Sequence, residues 1–500
     1  MATQYVQIIL TIIYGVVFIP LYLKYISVEM YGVWMATGNI MMWFSILMPD
    51  WSQLLLQQLG VAYGAEDKKK FSRIFVSGFI IAFFFGILFF IASWGASSFF
   101  DKWLNLSKDF DNNALIDAFL LASAGTALTF VASTFSSVNL ALQKTLAAGL
   151  INILSMVVRI GVVLIMIYSN YGILALGFGN LFYGMTMLMS NIIIANYNLR
   201  YFNIIFNFSL TEMINLINLT FFTSINKFGN TFMKQIDYFL VTRYLGGEAT
   251  TMLRLVKVVP ETLMLFATNT SYTLMPVISF MKGADTLKNK IEKLMRVTGI
   301  MFTFSCFLGG GVYVFDESFI TLWVENGLFA GQTIVFLVVL NLIIAGISDT
   351  FGRYVFTIGK IKTVSSIRFV LSILQIGLMF IGVIYWGITG MIIASTSVFI
   401  VTTGIFWFLF VRAERIPSRI SLIPLRELGL GLIATIIAST WGSRIEITQW
   451  VHIISGIMQY SILFFLVLIC ISSNFRWLIL EVLYIIKKRF KPTVKADHVN

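Results

Sequence analysis

The sequence predicts an all-α polytopic membrane protein with two related six-helix halves, and three observations carry that prediction. Of 500 residues, 58% are hydrophobic and only 12% charged, with a mean hydropathy of +0.88, whereas about a quarter of a soluble globular chain is charged. The apolar residues fall in runs of about 20, long enough at 1.5 Å per residue to cross a hydrocarbon core of about 30 Å. Finally, a pattern returns 219 positions later: Tyr25-Ile26 with Glu29 becomes Tyr244-Leu245 with Glu248, and Gly64-Ala65-Glu66 becomes Gly283-Ala284-Asp285. Both matches hold at one offset and bracket a long apolar run. A duplicated helical unit of this kind is a plan that many membrane transporters share.

In chain order the first unit has spans at about 4 to 26, 32 to 61, 74 to 98, 114 to 141, 147 to 168 and 173 to 196. The second has spans at about 216 to 245, 251 to 281, 297 to 315, 331 to 357, 363 to 385 and 388 to 411, and a final pair covers about 424 to 441 and 450 to 473. The reading is about 14 transmembrane helices in two pseudo-symmetric six-helix lobes plus a C-terminal helix pair. The lobes are 1–198 and 216–412, with a cytoplasmic linker at 199–215, a two-helix segment at 413–474 and a basic cytoplasmic tail at 475–500.

The charges between spans justify the breaks, because cytoplasmic loops retain an excess of Lys and Arg. Even-numbered connections and the tail hold 25 basic residues, among them Lys68, Lys69, Lys70, Arg73, Lys144, Arg200, Lys282, Arg296, Lys360 and Arg412. Odd connections hold six: Lys24, Lys102, Lys108, Arg243, Arg254 and Arg444. Both termini are therefore expected in the cytoplasm, and the net charge of +12 reads as topology and attraction to anionic membrane lipid rather than nucleic-acid binding. Six helices per repeat insert both copies the same way up.

No basic residue precedes the first span and no small-residue cleavage site follows it, so it reads as a retained helix. Cys306 and Cys470 lie in apolar runs and read as core packing, with no disulfide framework. His452 and His498 are too few for a metal site, and no cofactor is expected. There is no GxxxxGK[ST], HExxH or CxxC motif, and all connections are short, so no catalytic residues are assigned. Gly429-Leu430-Gly431 with Ala434 matches a dinucleotide fingerprint, but it lacks a preceding strand and reads as close helix packing. Trp34, Trp43, Trp51, Trp94, Trp103 and Trp323 fall near span ends and read as interfacial anchors. Trp477, Leu480, Leu483 and Ile486 before Lys487-Lys488-Arg489 predict an amphipathic tail helix on the inner leaflet.

Charge inside the hydrocarbon is costly and calls for a role. Thr220, Thr223, Lys227, Asn230, Lys234 and Asp237 recur at three- and four-residue steps, forming a polar stripe on the seventh span. The eighth span carries Arg254, Lys257 and Glu261 around Pro260, the fifth carries Arg159, the second Asp50, and the tenth Asn341, Asp349 and Arg353. Basic groups outnumber acidic ones near the midplane, which suits an anionic ligand. Arg159, Lys227, Asn230, Lys234 and Lys257 are the substrate-binding candidates; Asp50, Asp237, Glu261, Asp349 and Arg353 are candidates for ion coupling or charge pairing. Lys234 with Asp237, Lys257 with Glu261, and Asp349 with Arg353 are spaced to form structural pairs, and that alternative stays open. Lys227 and Arg159 have no partner on their own helix.

The first repeat, with Tyr25, Glu29, Tyr31-Gly32-Val33-Trp34, Asn39 and Tyr63-Gly64-Ala65-Glu66-Asp67, resembles the N-terminal part of Wzx-type O-antigen and polysaccharide-unit flippases of the multidrug/oligosaccharidyl-lipid/polysaccharide (MOP) exporter superfamily. Arg243-Tyr244-Leu245-Gly246 with Glu248 is similar to the same pattern opening the second lobe, and Tyr171-Gly172-Ile173 and Trp386-Gly387-Ile388 occupy matching late positions. The resemblance covers about residues 1 to 411. It implies two lobes around a V-shaped cavity that opens alternately to each side of the bacterial cytoplasmic membrane. The implied substrate is undecaprenyl pyrophosphate carrying an oligosaccharide, whose phosphate oxygens Lys and Arg would receive. A polysaccharide polymerase and a chain-length regulator stay open as partners. The extra helix pair departs from the twelve-helix pattern and resembles the lipid-linked peptidoglycan precursor flippases of the superfamily. A drug or cation antiporter would be expected to concentrate carboxylates instead, and a glycosyltransferase or polymerase to carry a large periplasmic loop.

Overall fold

The computed structural model describes residues 2–44, 51–201, 207–281, 287–324, 327–442 and 447–489. They form α1 (Ala2–Ile12), a π-helical turn (Ile13–Val17), α2 (Ile19–Tyr25), α3 (Val28–Phe44), α4 (Trp51–Gly64), α5 (Lys68–Ser97), α6 (Phe100–Leu104), α7 (Asn112–Ala141), α8 (Thr145–Tyr168) and α9 (Leu174–Tyr201). Then come α10 (Leu210–Lys234), α11 (Asp237–Leu245), α12 (Gly247–Met281), α13 (Leu287–Trp323), α14 (Gln332–Thr357), α15 (Ile361–Ala413), α16 (Ser418–Ser421), α17 (Ile423–Gly442), α18 (Trp450–Ile471) and α19 (Ser473–Arg489). Among the described residues nine helices are long and apolar enough to cross a membrane, with a shorter apolar stretch at Ile9–Tyr25. The chain is an all-α, multi-pass membrane protein. One of the nine, α15, runs for 53 residues but turns at Gly387, whose φ of 62° and ψ of −146° are open to glycine alone, so it contains two of the expected spans.

Among the described residues two expected spans are interrupted, while part of the second span, 45–50, lies outside them. The first is interrupted by the π turn, where Phe18 N–H donates five residues back to Ile13 O. The seventh breaks at Gln235-Ile236, so the polar stripe from Thr220 to Asp237 does not run along one helix. The break is stabilised by side chains that take the carbonyls it releases: Trp43 Nε1 donates to Gln235 O (3.0 Å) and Gln375 Nε2 to Met233 O (2.9 Å).

By contacts the chain divides into two compact units. Unit 1 comprises Met1–Val258, Gly327–Ala330 and Ser365–Val398; unit 2 comprises Val259–Asn326, Gly331–Val364 and Phe399–Asn500.

In unit 1, α7 packs along α9 through buried amides: Asn198 Nδ2 donates to Asn139 Oδ1, and Asn139 Nδ2 to Asn191 Oδ1, both at 3.2 Å. Trp51 is buried against α7 with Nε1 on Thr134 Oγ1, and Trp34 is buried too, so neither is the interfacial anchor expected; Trp94 and Trp103 are exposed. The repeat is visible in one contact of this unit. Thr251 Oγ1 donates to Val28 O at 2.6 Å, and a Cβ on Gly32 would lie 1.8 Å from Gly247 O. Positions 28 and 247, and 32 and 251, are each one repeat apart, so the same two positions of each copy meet reciprocally, as at a twofold axis. Only a residue without a Cβ fits at position 32.

In unit 2, α17 and α18 pack on α13. Gly431, in the run read as close packing, sits against Thr303, and Tyr460 donates to Phe307 O at 2.9 Å. At the cytoplasmic end expected from the basic loops, Glu427 is buried and fully partnered. Its Oε1 accepts from Asn474 Nδ2 and Arg426 Nη2 (both 2.9 Å), its Oε2 from Ser472 Oγ (2.6 Å), and Asn474 Oδ1 accepts from Arg296 Nη1 at 2.7 Å. This network ties the C-terminal pair to α13. Cys306 is buried as expected, but Cys470 faces outward on α18.

Candidate functional site

The interior of unit 1 holds a row of cations laid over tyrosine rings. Arg159 sits near the middle of α8, about 21 Å along it from Thr145 at 1.5 Å per residue. Its guanidinium carbon lies 3.9 Å from the centroid of Tyr14 and 5.8 Å from that of Tyr183 on α9. Tyr14 belongs to the π turn; such turns re-aim a side chain and recur at functional sites. Stacking on a ring satisfies the face of a guanidinium but leaves its N–H edge free for an oxyanion. Arg159 Nε is buried with no hydrogen-bond partner, and among the described residues no carboxylate pairs with Arg159.

From Tyr14 the row continues through Tyr22, whose hydroxyl donates to Tyr14 O (3.2 Å) and whose ring packs 6.2 Å from Tyr31. Arg254 reaches the Tyr31 hydroxyl, and its Nη1 lies 3.5 Å from Tyr238 Oη. One turn on, Lys257 lies 5.0 Å from the Tyr238 ring centroid and forms an ion pair with Asp237 Oδ2. Asp237 Oδ1 accepts the backbone N–H of Tyr238 (2.9 Å), at the first residue of α11, where the helix dipole favours a negative charge. These contacts bring Arg159, Arg254, Lys257 and one carboxylate into a continuous polar strip, which suits a ligand carrying more than one negative charge.

The sequence candidates separate as follows. Arg159, Lys257 and Asp237 fall in this row. Asp237 and Lys257 engage each other, Lys257 reaching it from α12. In unit 2, Asp349 and Arg353 lie 3.9 Å apart on α14 with side chains about 15% exposed, and Glu261 is half-buried on α12. Asp50 and the side chains of Lys227, Asn230 and Lys234 lie outside the described residues. The tyrosines at 14, 22, 31, 183 and 238 were not anticipated, nor were the buried acids Asp316 and Glu427. The tyrosines come from five separate elements and share no sequence spacing; Glu427 could have been found by treating every carboxylate within a span as needing a partner, whereas Asp316 falls one residue past the expected end of the ninth span. A separate cavity of about 460 Å³, lined by Phe90, Asp117, Leu121, Tyr171 and Phe178, contains none of the candidates. Among the described residues no group of three or more His, Cys, Asp or Glu is placed to hold a metal.

Comparison with known proteins agrees with this geometry at the level of fold. A lipid II flippase MurJ in an inward closed conformation superposes with a TM-score of 0.69 at 14% identity, covering 92% of this chain and 97% of that one. An inward-facing multidrug resistance MATE family transporter of the MOP superfamily gives 0.60 at 13% identity, covering 83% of this chain and 99% of the other, and an outward-facing one gives 0.52 at 16%, covering 84% and 96%. No curated protein matches the chain in sequence. The model of the family described as polysaccharide biosynthesis protein matches residues 25–322, which is more than half of the chain and runs through most of 1–198 and about half of 216–412. Carrying the fold of the MOP transporters, the chain belongs to this polysaccharide biosynthesis protein family.

Proposed function

We propose that this protein is a flippase for an undecaprenyl-pyrophosphate-linked oligosaccharide, an O-antigen or related polysaccharide repeat unit. It moves this substrate from the cytoplasmic to the periplasmic leaflet of the bacterial inner membrane by ion-coupled alternating access, without covalent chemistry. Both termini lie in the cytoplasm. The observation that carries the reading is Arg159: a cation at mid-span, stacked on Tyr14, whose buried Nε–H has no acceptor among the described residues. A pyrophosphate brings two adjacent negative groups and many acceptor oxygens, and it loses its hydration on entering the membrane, so fixed guanidinium and ammonium groups replace that hydration. A drug cation would be repelled by the same strip.

The test is the appearance of surface polysaccharide in cells relying on this protein. Arg159→Ala should abolish it at normal membrane abundance, and Arg159→Lys should keep part of it, since charge survives while the planar donor edge does not. Wild-type polymer in the alanine variant would remove pyrophosphate binding from Arg159. A second reading, a flippase of lipid-linked peptidoglycan precursor, is supported by the MurJ superposition, which covers 92% of this chain against 83% for the inward-facing MATE transporter. Rescue of cells depleted of their own lipid II flippase would favour this second reading over the first.

A further inference from the structure

Asp316, on α13 of unit 2, is 2% exposed, and neither of its carboxylate oxygens has a hydrogen-bond partner among the described residues. It lies seven residues before the end of α13 at Trp323, about 10 Å inside the helix. The register of α14 shows what faces it. Gly309 meets Val339 and Ile343; one turn further, the Tyr313 ring packs 6.0 Å from Phe336, and Tyr313 O accepts from Gln332 Nε2 at 2.5 Å. The two helices run antiparallel, so the next turn of α13, which carries Asp316, is level with the start of α14 at Gln332. The bond to Tyr313 fixes the Gln332 amide with its nitrogen used, and its Oε1 is likewise buried with no donor. Three oxygens at one level of the helix pair therefore have acceptor capacity and nothing to accept from. Leaving an ionised carboxylate in that state costs several kcal/mol or more, and a positive occupant removes the cost.

We propose that Asp316, with the Gln332 amide oxygen, is a monovalent-cation site, holding a proton or a sodium ion. The proposal deepens the flippase reading by supplying the site through which an ion gradient acts, and it rests on that reading for its purpose but not for its measurement. The charged and titratable groups around it are few. On α13 they are Tyr313 and Glu317, both exposed, and Cys306. The stretch of α14 from Gln332 to Ser348 has no ionisable side chain; among the described side chains α16 contributes Arg419, α17 Arg426 and Glu427 at its far end, α18 His452, Tyr460 and Cys470, α19 Arg476 and Glu481, and α12 Glu248, Arg254, Lys257 and Glu261. None of these is an ion-pair partner of Asp316 among the described residues.

Purified full-length protein is melted in detergent at constant ionic strength, titrating sodium against choline at fixed pH and then pH from 8 to 6. A cation held only by the folded state raises the melting temperature with its concentration. A rise of several degrees with sodium identifies sodium; a rise on acidification without a sodium effect identifies a proton; in either case Asp316→Asn should remove the rise. Identical responses in wild type and Asp316→Asn overturn the site. Should the variant fail to fold, a hydrophobic carbodiimide is applied to wild-type protein and the adducts mapped by mass spectrometry. An Asp316 adduct that falls at least fivefold with sodium or with rising pH supports the site, and an Asp316 carboxyl whose labelling ignores both overturns it. No lipid-linked substrate is present, so failure here leaves the transport reading standing, while normal cation binding by a protein that assembles no polymer would sink the transport reading alone.

Discussion

Replacing Lys257 by Met tests whether the cation row is a structural element or a binding surface. The side chains of Lys257 and Asp237 are 15% and 12% exposed, so solvent screening takes little from their interaction. Breaking a buried pair by removing one partner costs about 3–5 kcal/mol, most of it the burden of the charge left behind. Asp237 retains part of its stabilisation, because it still accepts the Tyr238 N–H at 2.9 Å and sits at the first residue of α11, where the helix dipole contributes about 0.5–1 kcal/mol. The expected net loss is therefore about 2–4 kcal/mol, which is a factor of about 30 to 1,000 in a folding equilibrium. Met keeps the length and apolar stem of Lys, so packing loss stays small. The assays are membrane abundance, the melting temperature of the purified protein and surface polysaccharide. Lys257→Met with Asp237→Leu removes both charges and should recover abundance and melting temperature by a coupling of at least about 1.5 kcal/mol. If polymer returns as well, Lys257 is a structural partner; if stability returns without polymer, Lys257 meets the substrate. A single Lys257→Met variant with wild-type abundance and melting temperature would refute the reasoning, because it would mean that Asp237 does not depend on the pair.

Gly32→Leu should lower membrane abundance and surface polymer, since a Cβ there would lie 1.8 Å from Gly247 O; unchanged abundance and polymer would show that the reciprocal contact is dispensable. Glu427→Ala leaves Ser472, Asn474 and Arg426 without their acceptor and should lower the melting temperature by the equivalent of about 2–4 kcal/mol, with Glu427→Gln less severe; equal melting of wild type and Glu427→Ala would remove this network as the anchor of the C-terminal pair. Reporters fused after Lys69, Lys288 and Lys491 should read as cytoplasmic and one near Lys108 as periplasmic, and a periplasmic reading at Lys288 breaks the repeat and the helix count together. Lys227→Ala should abolish surface polymer while Lys227→Arg keeps part of it, and full polymer in Lys227→Ala would take that lysine out of the substrate path.

What was legible in the sequence was what depends on one helix at a time. Span positions follow from apolar length, and the hairpin at Gly387, the packing at Gly431 and the isolation of Arg159 on its own helix all follow from local spacing. What was not legible depends on where helices stop. Lys234 stands three residues before Asp237, so helical periodicity puts them on one face; but α10 ends at Lys234 and α11 begins at Asp237, and the carboxylate is met by Lys257, twenty positions on. The cause of that break lies far away in the chain, in the indole of Trp43 and the amide of Gln375 that take the released carbonyls, and no window around residue 235 contains either. The same holds at the first span, where a single π turn rotates Tyr14 under Arg159. Both departures from regular helix fall beside the cation row. Each leaves backbone groups to be satisfied by side chains within the membrane, a cost that uninterrupted helices avoid, and each places a functional group that an uninterrupted helix would aim elsewhere. Restoring helix regularity at Gln235, for example by Gln235→Ala with Trp43→Phe, should therefore stabilise the segment while turning Asp237 away from Lys257. A variant that melts higher yet assembles no polymer is the expected result, and one that melts higher with full polymer would show that the break positions nothing.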